Sequence, residues 1–168
     1  MSYRIKYSAS EVSAAIDRLA AGVTLTPDTV FLVLMNGGVW FAHELIRRFG
    51  HEPVCVEYAK VSSYEGKERG RLNAAYLPQD GWTGKRVIVL DDICDSGNTL
   101  NSIYAWLQTK EPASIAFMTL LARKGRYRLE ADMQLTAGIE DDSDDFFVGC
   151  GLDDNGIARN LPYIGVVN

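Results

Sequence analysis

The sequence predicts an α/β fold, a mainly parallel, twisted sheet flanked by helices on both faces. Three observations carry that expectation. Apolar runs of strand length alternate with segments of helical periodicity, the order of strand–helix–strand units. Residues 30–35, 86–90 and 114–121 are largely apolar, as strands covered on both faces are. Asn36-Gly37-Gly38 follows the first of these runs and Asp91-Asp92 the second. In such sheets ligands bind beyond the carboxyl ends of the strands.

Taken in order, Ser8-Ala9-Ser10-Glu11 has the form of a capping box. Val12, Ile16 and Leu19 then repeat at helical spacing, and Gly22 is the stop. After the strand over 30–35, Trp40, Phe41, Leu45, Ile46 and Phe49 mark a second helix closed by Gly50. Residues 54–61 alternate as a second strand. Residues 62–79 turn polar and glycine-bearing without periodicity, a long loop or loose hairpin of the length that usually serves function. A third strand over 86–90 precedes a helix marked by Leu100, Ile103, Tyr104 and Leu107, which ends before Pro112. A fourth strand covers 114–121. Short apolar pieces at 146–149 and 163–167 surround an acidic stretch. No internal repeat or linker interrupts the chain, so residues 1–168 are expected to form one domain.

Composition narrows the function. Of 168 residues, 47% are hydrophobic and 23% charged, which is globular rather than disordered composition. Lys and Arg number 17 against 22 Asp and Glu, a net charge of −5 that argues against a protein that coats nucleic acid or an anionic membrane. Three widely spaced cysteines, without a C-x-x-C pair, suggest neither a zinc site nor a disulfide framework. The first residues lack a secretory apolar region, and no apolar run is long enough to span a bilayer. A cytoplasmic protein, with no membrane and no nucleic-acid partner, is the expectation.

The segment Val87-Ile88-Val89-Leu90-Asp91-Asp92-Ile93-Cys94-Asp95-Ser96-Gly97-Asn98-Thr99-Leu100 carries the chemistry. A buried strand delivers adjacent carboxylates that can accept hydrogen bonds from the vicinal hydroxyls of a ribose. The loop that follows supplies amides and two hydroxyls at a helix N-terminus, an anion site. Gly97 lets the backbone close on a phosphate. Capping would explain Asp95 alone, but not two acids after a buried run. Gly81-Trp82-Thr83-Gly84-Lys85-Arg86 has the wrong spacing for a Walker loop, and no Rossmann fingerprint is present.

This segment resembles the signature of the type I phosphoribosyltransferases, which bind 5-phosphoribosyl 1-diphosphate (PRPP). Within that family the chain looks like the hypoxanthine–guanine phosphoribosyltransferases. Supporting stretches are Leu34-Met35-Asn36-Gly37-Gly38, Val61-Ser62-Ser63-Tyr64, Leu120-Leu121-Ala122-Arg123-Lys124, Phe147-Val148-Gly149-Cys150-Gly151-Leu152-Asp153 and Arg159-Asn160-Leu161-Pro162. The resemblance implies the family's fold, including a flexible lid loop and a small hood formed by terminal segments. It implies transfer of the phosphoribosyl group to hypoxanthine, and to guanine, giving IMP or GMP and diphosphate in purine salvage.

By the same resemblance, Asp91 and Asp92 would hold the ribose hydroxyls, and Asp95, Ser96, Gly97, Asn98 and Thr99 the 5-phosphate. Asp95 would be the general base for the purine. Asn36 and Gly37, in a loop that in this family often contains a non-proline cis peptide, would bind diphosphate, with Arg159 facing it. Ser63 and Tyr64 would belong to the lid. Arg123 would donate to the 6-oxo group, Phe146 would stack on the base beside Phe147, and Asp153 would help hold Mg2+ at the purine site. A homodimer or homotetramer is also implied.

Several positions depart from the family. Asp91 stands where it often has Glu, and Ser96 where Thr is frequent. Arg123, with Lys124 beside it, stands where Lys is most common, and Arg and Lys are not equivalent donors. Cys94 occupies a usually aliphatic position and Cys150 a usually aromatic one. Residues 140–145, five acids in six positions, read as a solvated loop rather than a metal site. His43 and His51 read as surface residues. Two other readings of the same fold are a transferase for xanthine or a pyrimidine, and a PRPP-sensing regulator that binds nucleic acid. The net charge and the presence of both Asp95 and a candidate lid weigh against the regulator.

Overall fold

A computed structural model describes residues 3–61 and 74–167. In chain order these form β1 (Tyr3–Tyr7), α1 (Ala9–Ala21), β2 (Thr29–Met35), α2 (Gly38–Ile46), β3 (Cys55–Val61), β4 (Ala74–Tyr76), β5 (Arg86–Cys94), α3 (Asn98–Gln108), β6 (Ser114–Arg123), β7 (Leu135–Asp141), β8 (Phe147–Val148) and β9 (Ile164–Val167). One 3-10 turn, Arg47–Phe49, extends α2.

The larger sheet has the strand order β4-β3-β2-β5-β6-β7, parallel throughout except for β4, which pairs antiparallel with β3. Period-2 alternation along β2 sorts its side chains between two cores. Phe31 and Val33 face α1 and α2 through Val12, Ile16, Phe41 and Leu45. Leu32 and Leu34 share the other core with Leu100, Ile103 and Leu107 of α3. The parallel sheet covered on both faces is the predicted architecture.

Local signals placed the helices well. Ser8 caps α1 in a reciprocal box with Glu11, and Gly22 closes it. Gly50 ends the second helical segment at a φ of 65°. Two strands extend further than the apolar runs suggest: β5 continues through Asp91 and Asp92 to Cys94, and β6 continues to Arg123. Pairing with β6 at Asp91↔Thr119, Ile93↔Leu121 and Cys94↔Ala122 holds the acids inside the ladder rather than after it.

β1 and β7 have no counterpart among the strands read from sequence. β7 is an edge strand beside β6, and Gly138 lets α1 lie close. A Cβ there would come within 3.1 Å of both Leu19 and the Leu120 carbonyl. β1 joins β9 and β8 in a three-stranded antiparallel sheet built from the two terminal segments, the expected hood. Phe147, Ile164 and Val166 of that sheet enter the same core as α1 and α2.

Candidate active site

β5 carries Asp91 and Asp92 to the carboxyl end of the sheet, where β2 ends at Met35. The Met35–Asn36 peptide is cis. The loop it begins lies directly on the acid pair: a Cβ on Gly37 would collide with the Asp92 carboxylate, and one on Gly38 would lie 2.9 Å from the Leu90 carbonyl. Only glycine permits this approach. Asp92 is 9% exposed. Asp91 Oδ1 accepts from the amide of Asp92 (3.0 Å), and Asp92 Oδ1 from the amide of Ile93 (2.8 Å). Burial raises both carboxyls above their ordinary range, and the charge of Asp92 raises Asp91 further. The positive charge of Arg159 opposes the rise at Asp92.

The segment after β5 forms a tight turn into α3. Gly97 sits at the helix N-cap with φ 87°, and no side chain caps the helix from that position. A Cβ on Gly97 would come within 2.7 Å of the Arg128 carbonyl. That neighbour is a brace: the Arg128 amide donates to the Ser96 carbonyl (3.0 Å), and Asn101 Nδ2 donates to the Arg128 carbonyl (2.8 Å). The loop from Asp95 to Thr99 is thereby held open at a helix N-terminus whose partial positive charge suits a phosphate. Arg128 was not singled out in the sequence, because it acts through its backbone.

The C-terminal motif folds back over the glycine loop. A Cβ on Gly151 would collide with the Gly37 carbonyl, so the two backbones are in direct contact. Arg159 Nη1 donates to the Gly151 carbonyl (2.5 Å), and Nη2 pairs with Asp153 Oδ1 (2.6 Å). Asp153 Oδ2 also accepts from the Gly156 amide (2.8 Å). Asn36, Gly37, Asp92, Gly151, Asp153 and Arg159 therefore meet at one end of the sheet.

Burial bears on two expectations at the base side. Phe147 turns inward at 4% exposure and belongs to the core, so its ring is not free to meet a base. Phe146, 56% exposed, presents its ring instead. Arg123 is 7% exposed, and its guanidinium is already engaged. Nη1 donates to the Ser143 carbonyl (2.9 Å) and Nη2 to the Asp145 carbonyl (2.6 Å), while Cζ lies 4.7 Å above the Phe147 ring. Nε is 3.1 Å from Asp95 Oδ1, an ion pair whose N–H is not aligned for a hydrogen bond. Lys124 points elsewhere, 4.0 Å from Glu140. Ser63 and Tyr64 lie outside the described residues.

The acidic stretch over 140–145 is not wholly solvated. Asp141 is 6% exposed, accepts from Tyr7 and Ser143 and forms an ion pair with Lys6. Its donors come partly from the opposite end of the chain, which sequence spacing could not reveal. His43 and His51 are exposed, as expected.

Comparison with known proteins decides the family. A profile of the phosphoribosyl transferase domain matches residues 7–155. The chain belongs to the phosphoribosyltransferase family. A hypoxanthine-guanine phosphoribosyltransferase of Staphylococcus epidermidis is 33% identical to this phosphoribosyltransferase over 136 residues, covering 80% of this chain and 74% of its own. The Staphylococcus aureus enzyme of the same name is 31% identical over 153 residues, covering 87% and 84%. Among solved structures, a Bacillus anthracis hypoxanthine-guanine phosphoribosyltransferase superposes with a TM-score of 0.88 at 27% identity, covering 99% of this chain and all (100%) of its own. A Staphylococcus aureus hypoxanthine phosphoribosyltransferase superposes at 0.87 with 28% identity, covering 98% and 91%. Among the described residues, no helix is long and apolar enough to cross a membrane.

Proposed function

We propose that this phosphoribosyltransferase joins hypoxanthine, and guanine, to PRPP, giving IMP or GMP and diphosphate in purine salvage. The observation that carries the reading is a convergence. A helix N-terminus capped by glycine for phosphate, a buried acid pair for ribose and a glycine–arginine junction at Asn36, Gly37 and Arg159 meet at one end of one sheet. Asp95 and Phe146 would face the base.

The reaction breaks the bond between the ribose anomeric carbon and diphosphate and forms one from that carbon to a purine ring nitrogen. Positive charge grows on the ribose and negative charge on the leaving group. Asp91 and Asp92 would hold the 2- and 3-hydroxyls, and the amides and hydroxyls from Asp95 to Thr99 the 5-phosphate. Asp95 would accept the proton released from the purine's imidazole ring, and Phe146 would stack on the base. Gly37 and Arg159 would receive the departing diphosphate.

The donor set fits Mg2+ of a particular kind. Among the described residues no cluster of three His, Cys, Asp or Glu side chains could cage a metal. Asp153 offers a partly exposed carboxylate, a hard donor suited to a magnesium ion that takes its other ligands from substrate oxygens and water. When bound, the ion would neutralise charge on the diphosphate.

A closing lid over 62–79 has a reason to exist, because water competes with the purine for the ribosyl cation. Within the described part of that segment, β4 pairs antiparallel with β3. The same reading takes residues 1–168 as one domain of a cytoplasmic homodimer or homotetramer. Diphosphate release from PRPP and magnesium, measured with hypoxanthine, guanine, xanthine and a pyrimidine in turn, tests the reading. Release with the first two is expected; release with none, or with xanthine or the pyrimidine alone, overturns it.

A further inference from the structure

We infer that Asp141, together with Lys6 of β1, positions the purine subsite. It fixes the turn whose carbonyls seat Arg123, and through Arg123 it orients Asp95 and the wall that bears Phe146. The inference rests on the purine-transferase reading above and adds residues that the reaction itself does not touch.

The arrangement starts at the end of β7. Asp141 Oδ2 accepts from Tyr7 Oη (2.5 Å) and lies 3.1 Å from Lys6 Nζ. Its Oδ1 accepts from the Ser143 amide (2.8 Å) and from Ser143 Oγ (2.5 Å). Lys6 Nζ also donates to Ser143 Oγ (2.6 Å) and to Asp145 Oδ2 (2.5 Å). One buried carboxylate and one ammonium therefore fix the path of the chain from Asp141 to Asp145. A buried carboxylate with its donors in place specifies a single conformation, whereas a half-satisfied one does not.

That path has consequences at the site. The Ser143 and Asp145 carbonyls it orients are the two that accept from Arg123. The Phe147 ring has Lys6 Nζ 5.5 Å from its centroid and Arg123 Cζ at 4.7 Å, so both cations hold the residue next to Phe146. Arg123 Nε reaches Asp95 at 3.1 Å. The relay runs from the N-terminal strand through the acidic turn to the base wall and to the general base. None of its members reaches Asn36, Gly37 or Arg159, where the diphosphate would lie. It should therefore bias the handling of the base rather than of PRPP. A supporting shell of this kind sets how closely a site keeps its productive geometry.

Steady-state kinetics on full-length Lys6→Gln, Lys6→Arg and Asp141→Asn, each with a thermal melt, test this. For Lys6→Gln the KM for hypoxanthine should rise about tenfold, the range expected for losing hydrogen bonds to a charged group. The KM for PRPP should stay within about twofold, since the relay residue in the 5-phosphate loop, Asp95, would meet that phosphate through its backbone amide, which the Arg123 contact does not use. Lys6→Arg should recover most of the loss, because it keeps the charge. Asp141→Asn should act in the same direction and more strongly. Should that variant fail to fold, Lys6→Gln decides alone, since its side chain is partly exposed. A lowered melting temperature with both KM values unchanged, or an equal rise in both, overturns the inference while leaving the proposed reaction standing. A wild-type protein with no base-dependent turnover overturns both.

Discussion

Two pairs of acids in this phosphoribosyltransferase contrast sharply. Asp91 and Asp92 lie inside β5 among apolar neighbours, with backbone amides and, at Asp92, the charge of Arg159 as compensation. Burial raises both carboxyls. Asp141 and Asp145 bracket a turn beside Lys6, Tyr7 and Ser143. Asp141 is also buried, yet those hydrogen bonds outweigh desolvation and hold it well below the ordinary carboxylate range. Asp145 is lowered too, first by Lys6. Burial alone does not set the sign; the donors that accompany it do. The first pair has acceptor capacity left for a hydroxyl-bearing ligand. The second is occupied and serves the architecture.

Asp95 stands between the two regions, in the ligand loop but ion-paired to Arg123, and the largest effect is expected there. Asp95→Asn should lower turnover by roughly 10²–10⁴, the range of a positioned acid–base group, with PRPP binding largely kept. Unchanged turnover in that variant would remove Asp95 from the proton transfer. Next, Asp92→Asn should weaken PRPP by about 10- to 100-fold, as loss of a charged hydrogen-bond acceptor does, with a smaller effect on the purine. Isothermal titration with each ligand separates the two, and an equal loss on both would break the division between sugar side and base side.

The smallest effect, and the sharpest on the comparison, is the pH dependence of stability in the ligand-free protein. A depressed native carboxyl lends stability that is complete above the unfolded value of about 4 and is lost as pH falls through the native one. Melting curves should therefore show the penalty of Asp141→Asn shrinking as pH falls below about 4. A raised native carboxyl does the reverse: its contribution is complete below about 4 and is lost as pH rises through the native value. Asp92→Asn should accordingly gain in melting temperature relative to wild type as pH rises above that point. Trends of the same sign in both variants would show that the two regions are not electrostatically distinct.

Much of this could be read along the chain. β2, β5 and β6 were legible because strands covered on both faces must be apolar at consecutive positions. Ser8 and Glu11 announced α1 because a capping box is a contact within four residues. The acid pair stood out because carboxylates rarely follow four buried residues without a ligand to meet. β1 was silent, since it is only five residues long and its partner β9 lies at the other end of the chain. β7 was silent because Gly138 carries no side chain where α1 presses on the sheet, and Ala137 is small on the opposite face. The motif resemblance favoured Phe146 for stacking, but which of Phe146 and Phe147 joins the core was decided when the hood turned Phe147 inward.

The sequence by itself determined the layered sheet, the phosphate-sized turn at the head of α3 and the acids that precede it. These depend on periodicity, on caps and on residues that touch near neighbours. Only the tertiary structure decided that Gly37 lies on Asp92, that Arg159 stands over that junction, and that Asp141 is buried under Tyr7 and Lys6. Those contacts join residues 55 to 135 positions apart, and the free energy of a buried charge depends on which donors folding brings to it.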